Sequence, residues 1–227
     1  MGRMSSSAGP HEEHGQTGTM IDIKICGLTN LDDARAALEA GADFLGFVLY
    51  PKSPRGITAT QLARLADALP REARLIGVFV NEARKTIERI AGACRLHAVQ
   101  IHGDEPSEAF AGLAWPVWRA VRWQEAVWQP APGAWNAERY VADAPSPHYG
   151  GTGEQGDWGA AAALAREQRV MLAGGLTPDN VAEAIRAVRP LGVDVSSGVE
   201  QAPGRKDVRK VEEFVRRARE AAADREG

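Results

Sequence analysis

The chain has 227 residues, 44% of them hydrophobic and 25% charged, with a formal net charge of −3. That balance describes an ordinary soluble domain and gives no reason to expect nucleic acid or an anionic membrane as the main partner. Two cysteines, Cys26 and Cys94, are too few for a disulfide scaffold, and no apolar run approaches the roughly 20 residues of a membrane span, so a cytoplasmic setting is expected.

Residues 1–19, "MGRMSSSAGPHEEHGQTGT", carry neither periodicity nor the apolar stretch of a signal peptide. They are expected to form a flexible tail, leaving one domain over 20–227. "HEEH" in that tail sets two histidines three apart, but without a helix to fix them no metal site is expected. The folded part opens on "IDIKIC", which alternates like a strand and breaks at Gly27, with Thr29 and Asn30 as cap candidates for a helix over "LDDARAALEAG". Further strands are expected at "DFLGFVLY", "RLIGVFV", "HAVQIH", "PVWRAV", "RYVADA", "RVMLAG" and "GVDVSSG". Helices are expected at "TATQLARLADAL", "EARKTIERIAGAC", "PSEAFAGL", "WGAAAALAREQ", "TPDNVAEAIRAV" and "RKDVRKVEEFVRRAREAAA".

Strand–helix alternation of this kind builds a parallel sheet with right-handed crossovers, and eight strands in a chain of this size point to a (β/α)8 barrel. An open doubly wound sheet is the rival, but no strand leads into a dinucleotide glycine fingerprint. The fifth unit is irregular: Pro130, Pro132 and Gly133 interrupt the place where a helix would stand. Five of the six tryptophans lie between Trp115 and Trp135, more simply as packing for a loop-rich side than as base-stacking platforms, since few basic residues accompany them.

In such a barrel alternate strand residues face the interior, and chemistry sits at the C-terminal strand ends. Asp22, Lys24 and Cys26 form the inward set of the first strand, and Asp143 ends the sixth. Gln100 and His102 share a face at the top of the fourth, and Asp194 and Ser196 share one in the eighth. "LAGGLTPDNV" and "DVSSGVE" follow the seventh and eighth strands. Small residues there let backbone N–H groups reach an anion, at the usual phosphate site of this fold. The chemistry then has a thiol and a carboxylate on different strands. A thiol with an ordinary pKa of about 8.5 can act as a base if a helix N-terminus lowers it, and a carboxylic acid opposite can donate a proton. That pair suits a cofactor-free isomerisation.

Together, "KICGLTN", "GADFLGFVLYPKSPRGI", "GVFVN", "VQIHGDE", "DAPSPHYGGTG", "LAGGLTPDNV" and "DVSSGVE…PGRKD" resemble the phosphoribosylanthranilate isomerase family of tryptophan biosynthesis, in family order across nearly the whole chain from Met20. The resemblance implies a small (β/α)8 barrel with a shortened or irregular fifth unit. It also implies an Amadori rearrangement of N-(5-phosphoribosyl)anthranilate to the carboxyphenylamino-deoxyribulose phosphate, with no metal or coenzyme. By the same resemblance Cys26 matches the general base at C2′ and Asp143 the general acid at the furanose ring oxygen. Arg55 matches the arginine holding the anthranilate carboxylate, and a planar guanidinium can meet it with two parallel hydrogen bonds. Gly174, Gly175, Ser196, Ser197 and Gly198 match the phosphate cup. Asp194 matches a second carboxylate at the substrate. His102, from its place at the top of the fourth strand, is expected either to line the pocket or to make structural hydrogen bonds. One departure stands out: Gly156 precedes "DW" where the family usually has an aromatic residue, which implies a looser sixth loop.

Blander roles remain beside these: Cys26 as a buried thiol, Asp143 as a turn-former, Arg55 as a solvated loop charge, and Lys24 as an interior ion pair with Asp194 or Asp22. The charged run after Arg205 is expected to be a solvated helix face. The rival functions are a Schiff-base lyase or aldolase using Lys24, and a phosphorylated-metabolite sensor with Cys26 as a redox switch. A bifunctional relative would favour paired aspartates at the first and sixth strand ends, which the cysteine speaks against. The expected partner is a small phosphorylated molecule, with no nucleic acid or membrane, and the protein is expected to act as a monomer or homodimer.

Overall fold

The computed structural model describes residues 21–143 and 157–224. The tail over 1–19, with its "HEEH", and Gly156 with most of the sixth loop lie outside the described residues. The strands are β1 (Asp22–Ile25), β2 (Phe44–Val48), β3 (Arg74–Phe79), β4 (Ala98–Ile101), β5 (Val117–Gln124), β6 (Val127–Gln129), β7 (Arg139–Asp143), β8 (Val170–Leu172), β9 (Gly192–Val195), β10 (Glu200–Ala202) and β11 (Arg205–Lys206). The α-helices are α1 (Leu31–Glu39), α2 (Ala59–Ala68), α3 (Arg84–Ala93), α4 (Trp158–Glu167), α5 (Val181–Val188) and α6 (Val208–Ala223). The parallel order β1–β2–β3–β4–β5–β7–β8–β9 closes on itself through the β9–β1 pair, and this is the expected eight-stranded barrel.

The two-residue period of the strands sorts their side chains into two layers. Phe44, Ile76, Ala98, Trp118, Ala120, Val141 and Met171 fill the barrel. Ile23, Ile25, Leu45, Phe47 and Val121 face outward and are buried with Ala34, Leu62, Ile87, Ile185 and Phe214 of the helices. Arg139 enters the lower interior, pairs with Asp22, and lies 4.9 Å from the ring centre of Phe44 and 4.8 Å from that of Trp118. This cation over two aromatic faces plugs the end of the barrel away from the polar strand tops. Among the described residues no helix is long and apolar enough to cross a membrane.

Two local expectations change, at "PSEAFAGL" and at Arg205–Lys206, while the fifth unit is irregular as expected. "PSEAFAGL" gives only a single 3-10 turn, Ser107–Phe110, because Pro106 starts it and Gly112, at φ 66°, turns the chain away within a few residues. The fifth unit carries no helix: β6 folds back antiparallel on β5, where Trp123 meets Trp128, and a 3-10 turn, Pro132–Ala134, follows. Arg205 and Lys206 do not begin the last helix. They form β11 against β10, and Asp207 then caps α6 by accepting a hydrogen bond from the backbone N–H of Lys210.

Candidate active site

Local signals at the end of β1 place Cys26. Gly27 turns the chain at φ 75°, and Asn30 caps α1 through the backbone N–H of Asp33. The Cys26 thiol is buried against Gly46 of β2, where a Cβ would come within 2.8 Å of the sulfur. Burial pushes the Cys26 pKa above its ordinary value, against the pull of Lys24 and with a smaller upward push from Asp194. This reverses the expectation of a thiol lowered by a helix end: α1 begins five residues further on, and the low-dielectric barrel dominates.

Lys24 is fully buried. Its Nζ lies 2.6 Å from Asp194 Oδ2 and 3.0 Å from Gln100 Oε1, which settles its partner as Asp194 while Asp22 serves Arg139. Burial alone would lower the Lys24 pKa, but Asp194 and Cys26 more than offset it and hold the ammonium above its usual range. A lysine kept protonated is a poor imine-former, so the pairing speaks against the Schiff-base reading. Lys24→Met leaves Asp194 buried without its cation and is expected to cost about 3–5 kcal/mol of stability. Urea denaturation measures this, and a loss below about 1 kcal/mol would show that the pair is not what keeps Asp194 inside.

Across the mouth, Gln100 Nε2 is 3.1 Å from His102 Nδ1, and His102 Nε2 is 3.4 Å from Asp143 Oδ2 at the end of β7. The turn carrying His102 is gripped from β5. Arg119 donates to the carbonyls of Ile101 (2.9 Å) and Gly103 (2.6 Å), and Arg122 donates to that of His102 (2.8 Å). Burial pulls the Arg119 pKa down to about 10, with Glu105 opposing, which leaves it charged at neutral pH.

The glycine-rich loops after β8 and β9 lie side by side. Gly174 and Gly175 adopt φ 77° and 65°, in the left-handed region, and Asn180 donates to the Gly175 carbonyl (2.9 Å). Gly198 packs so tightly on the Leu176 carbonyl that any Cβ there would collide with it, and this contact joins the two loops. Ser196, Ser197 and Gly198 thus lie beside Gly174 and Gly175, with the N-terminus of α5 behind them, an arrangement suited to an anion.

Arg55, on the loop after β2, is buried rather than solvated. It crosses Gly27, where a Cβ would meet Arg55 Cδ at 2.6 Å. Its Nε and Nη2 donate to Glu200 Oε1 (2.9 Å) and Oε2 (2.7 Å). Glu200 takes the side of the guanidinium fork and leaves the end-on edge, Nη1 with the second Nη2 hydrogen, without a partner among the described residues. Lys206 Nζ also donates to Glu200 Oε1 (3.0 Å) and to the Ser196 carbonyl (3.1 Å). Burial would raise the Glu200 pKa, but Arg55 and Lys206 hold it below the usual carboxylate range.

Glu200 and Lys206 are the site-lining residues that sequence reasoning missed. Lys206 is 2% exposed, although the charged run after Arg205 reads as a solvated face. The available signal was "PG" between the two charges, a turn that folds β11 back on β10. Cys94, by contrast, sits at the C-cap of α3 and is fully buried, deeper than the half-buried packing place that the end of a helical stretch suggests.

Comparison with known proteins bears on the family and the fold. Residues 23–217 match the family described as N-(5'phosphoribosyl)anthranilate (PRA) isomerase. A protein of that name from Trichlorobacter lovleyi is 49% identical over 204 residues, covering 89% of this chain and 100% of the relative. The crystal structure of phosphoribosyl anthranilate isomerase from Thermotoga maritima superposes with a TM-score of 0.79 at 41% identity, over 88% of this chain and 98% of that one. A structure of such an isomerase in complex with reduced 1-(o-carboxyphenylamino)-1-deoxyribulose 5-phosphate superposes with a TM-score of 0.76 at 39% identity, over 88% and 98% of the two chains.

Proposed function

The chain belongs to the phosphoribosylanthranilate isomerase family, and we propose that Cys26 and Asp143 are the base and acid with which it works. The protein is an isomerase of tryptophan biosynthesis that converts N-(5′-phosphoribosyl)anthranilate to 1-(2-carboxyphenylamino)-1-deoxyribulose 5-phosphate. One observation carries the assignment of residues: a thiol and a carboxyl stand at the ends of β1 and β7, in a barrel mouth whose glycine loops adjoin at β8 and β9.

In this reading the substrate phosphate sits on Gly174, Gly175, Ser196, Ser197 and Gly198. Asp143 gives its proton to the furanose ring oxygen as the C1′–O bond breaks, and the anthranilate nitrogen takes up the positive charge as an iminium. The Cys26 thiolate then removes the C2′ proton, and the electron pair flows to nitrogen to give an enolamine. That species becomes the ketone as C1′ gains a proton and the C2′ hydroxyl loses one. The proton count closes, and neither metal nor coenzyme is needed. Burial serves the base: a desolvated thiolate is more basic, which suits removal of a proton from carbon. Asp194, held by Lys24, has a buried Oδ1 with no hydrogen-bond partner and offers it to a substrate hydroxyl.

Arg55 meets the anthranilate carboxylate through its end-on edge, while Glu200 fixes the plane of the fork. Arg55→Met is expected to raise KM by about tenfold to a hundredfold, the weight of a charged hydrogen-bonded pair, with a smaller change in kcat. Initial rates from the fluorescence of the substrate measure both, and an unchanged KM would remove Arg55 from the carboxylate site. The wild-type reaction itself is tested by the same fluorescence decay, and borohydride with a ketose phosphate should trap no adduct on Lys24.

A further inference from the structure

We propose that Lys24, Gln100 and His102 form a one-way hydrogen-bond relay that fixes the proton of His102 on Nε2 and so positions Asp143. The inference rests on the reading of Asp143 as the acid. It begins from a donor that cannot accept: a lysine ammonium has N–H groups only. Gln100 must therefore turn its amide oxygen to Lys24, and Oε1 stands there at 3.0 Å. The amide NH2 is then left facing His102 Nδ1 at 3.1 Å. An NH2 can only donate, so Nδ1 must accept, and the single proton of the neutral ring belongs on Nε2.

Nε2 is buried and makes no well-aligned hydrogen bond in this state. The carboxylate it faces is that of Asp143, with Oδ2 at 3.4 Å. Such catalytic contacts are often long before substrate arrives and tighten afterwards. Every N–H in the series points the same way, from Lys24 on β1 through Gln100 on β4 to Asp143 on β7. Reversing the Gln100 amide would set its NH2 against the Lys24 ammonium, donor to donor, in a fully buried place. The Asp194 carboxylate, 2.6 Å from Lys24, holds that ammonium where the series starts. The backbone under His102 is fixed as well, by the grip of Arg119 and Arg122 on the three carbonyls around it. When Asp143 has given up its proton, Nε2–H is in place for the carboxylate, and no proton leaves the imidazole. Gln100 and Lys24 are thus positioning residues that act through His102.

Nitrogen-15 spectra of the imidazole rings test this, with the His102 signals assigned from their loss in His102→Asn. In wild type at neutral pH, Nδ1 is expected to carry no proton and Nε2 to carry one. An Nδ1–H tautomer in wild type overturns the relay without recourse to any variant. Gln100→Glu keeps an acceptor for Lys24 and replaces the donor that faces Nδ1 with an acceptor. The proton should then appear on Nδ1, and kcat should fall on the order of tenfold to a hundredfold with KM little changed, as for a misplaced catalytic group. A proton moved to Nδ1 with unchanged kcat overturns the positioning role. Asp143→Asn with undiminished turnover would instead remove the acid and leave the His102 tautomer as found, so the two failures are told apart.

Discussion

Cys26→Ala is expected to lose turnover by about 10²- to 10⁴-fold, the range of a general base, and to remain folded. The thiol is buried but small, and its neighbours at the strand end are Gly46 and the Lys24–Asp194 pair, which survive its loss. Circular dichroism and a denaturation curve alongside the fluorescence assay separate the two effects. In Asp143→Asn, where the acid is gone, the residual rate should also rise with pH. Burial raises the Cys26 pKa first of all, with Lys24 and Lys206 pulling the other way and Asp194 adding to the rise. At neutrality only a minority of molecules then hold the thiolate, and the residual kcat/KM of that variant climbs as pH passes through and beyond the ordinary thiol range. The wild-type profile also carries the limb of an acid that must keep its proton. A Cys26→Ala rate within tenfold of wild type would end the assignment. So would a residual Asp143→Asn profile that falls across that range while the enzyme stays folded.

Much of this arrangement was legible because strands alternate. Once "IDIKIC" is a barrel strand, Lys24 and Cys26 must face inward, and the same logic sets Gln100 with His102 and Asp143 on the interior side of β7. The glycine loops could be placed because the fold fixes where β8 and β9 end. Pairings across the fold were less accessible. Gln100 and Lys24 are 76 residues apart, and Arg55 and Glu200 are 145 apart, so no local pattern joins them. Lys206 misled for a different reason: it directly precedes the cap of a long amphipathic helix and shares that helix's charge pattern. Only the hairpin that buries it reveals otherwise. "PSEAFAGL" likewise has helical composition, but Pro106 and Gly112 leave too few residues between them for more than one turn.

Asp143→Asn should separate holding from giving. The amide oxygen of asparagine can still accept from His102 Nε2–H once that 3.4 Å approach tightens, so the side chain keeps the partner it faces across the mouth. What it lacks is a proton acidic enough to pass to the ring oxygen as the C1′–O bond breaks. The expected result is substrate bound with nearly wild-type affinity and kcat lowered by about 10²- to 10⁴-fold. A change confined to kcat identifies an interaction needed for the chemical step rather than for binding. Single-turnover fluorescence with enzyme in excess reads the two separately, since bound substrate remains fluorescent until it rearranges. If Asp143→Asn raised KM and left kcat alone, the carboxyl would be a binding group. The furanose oxygen would then take its proton elsewhere, and Asp194, with its unpartnered Oδ1, would be the next group to replace.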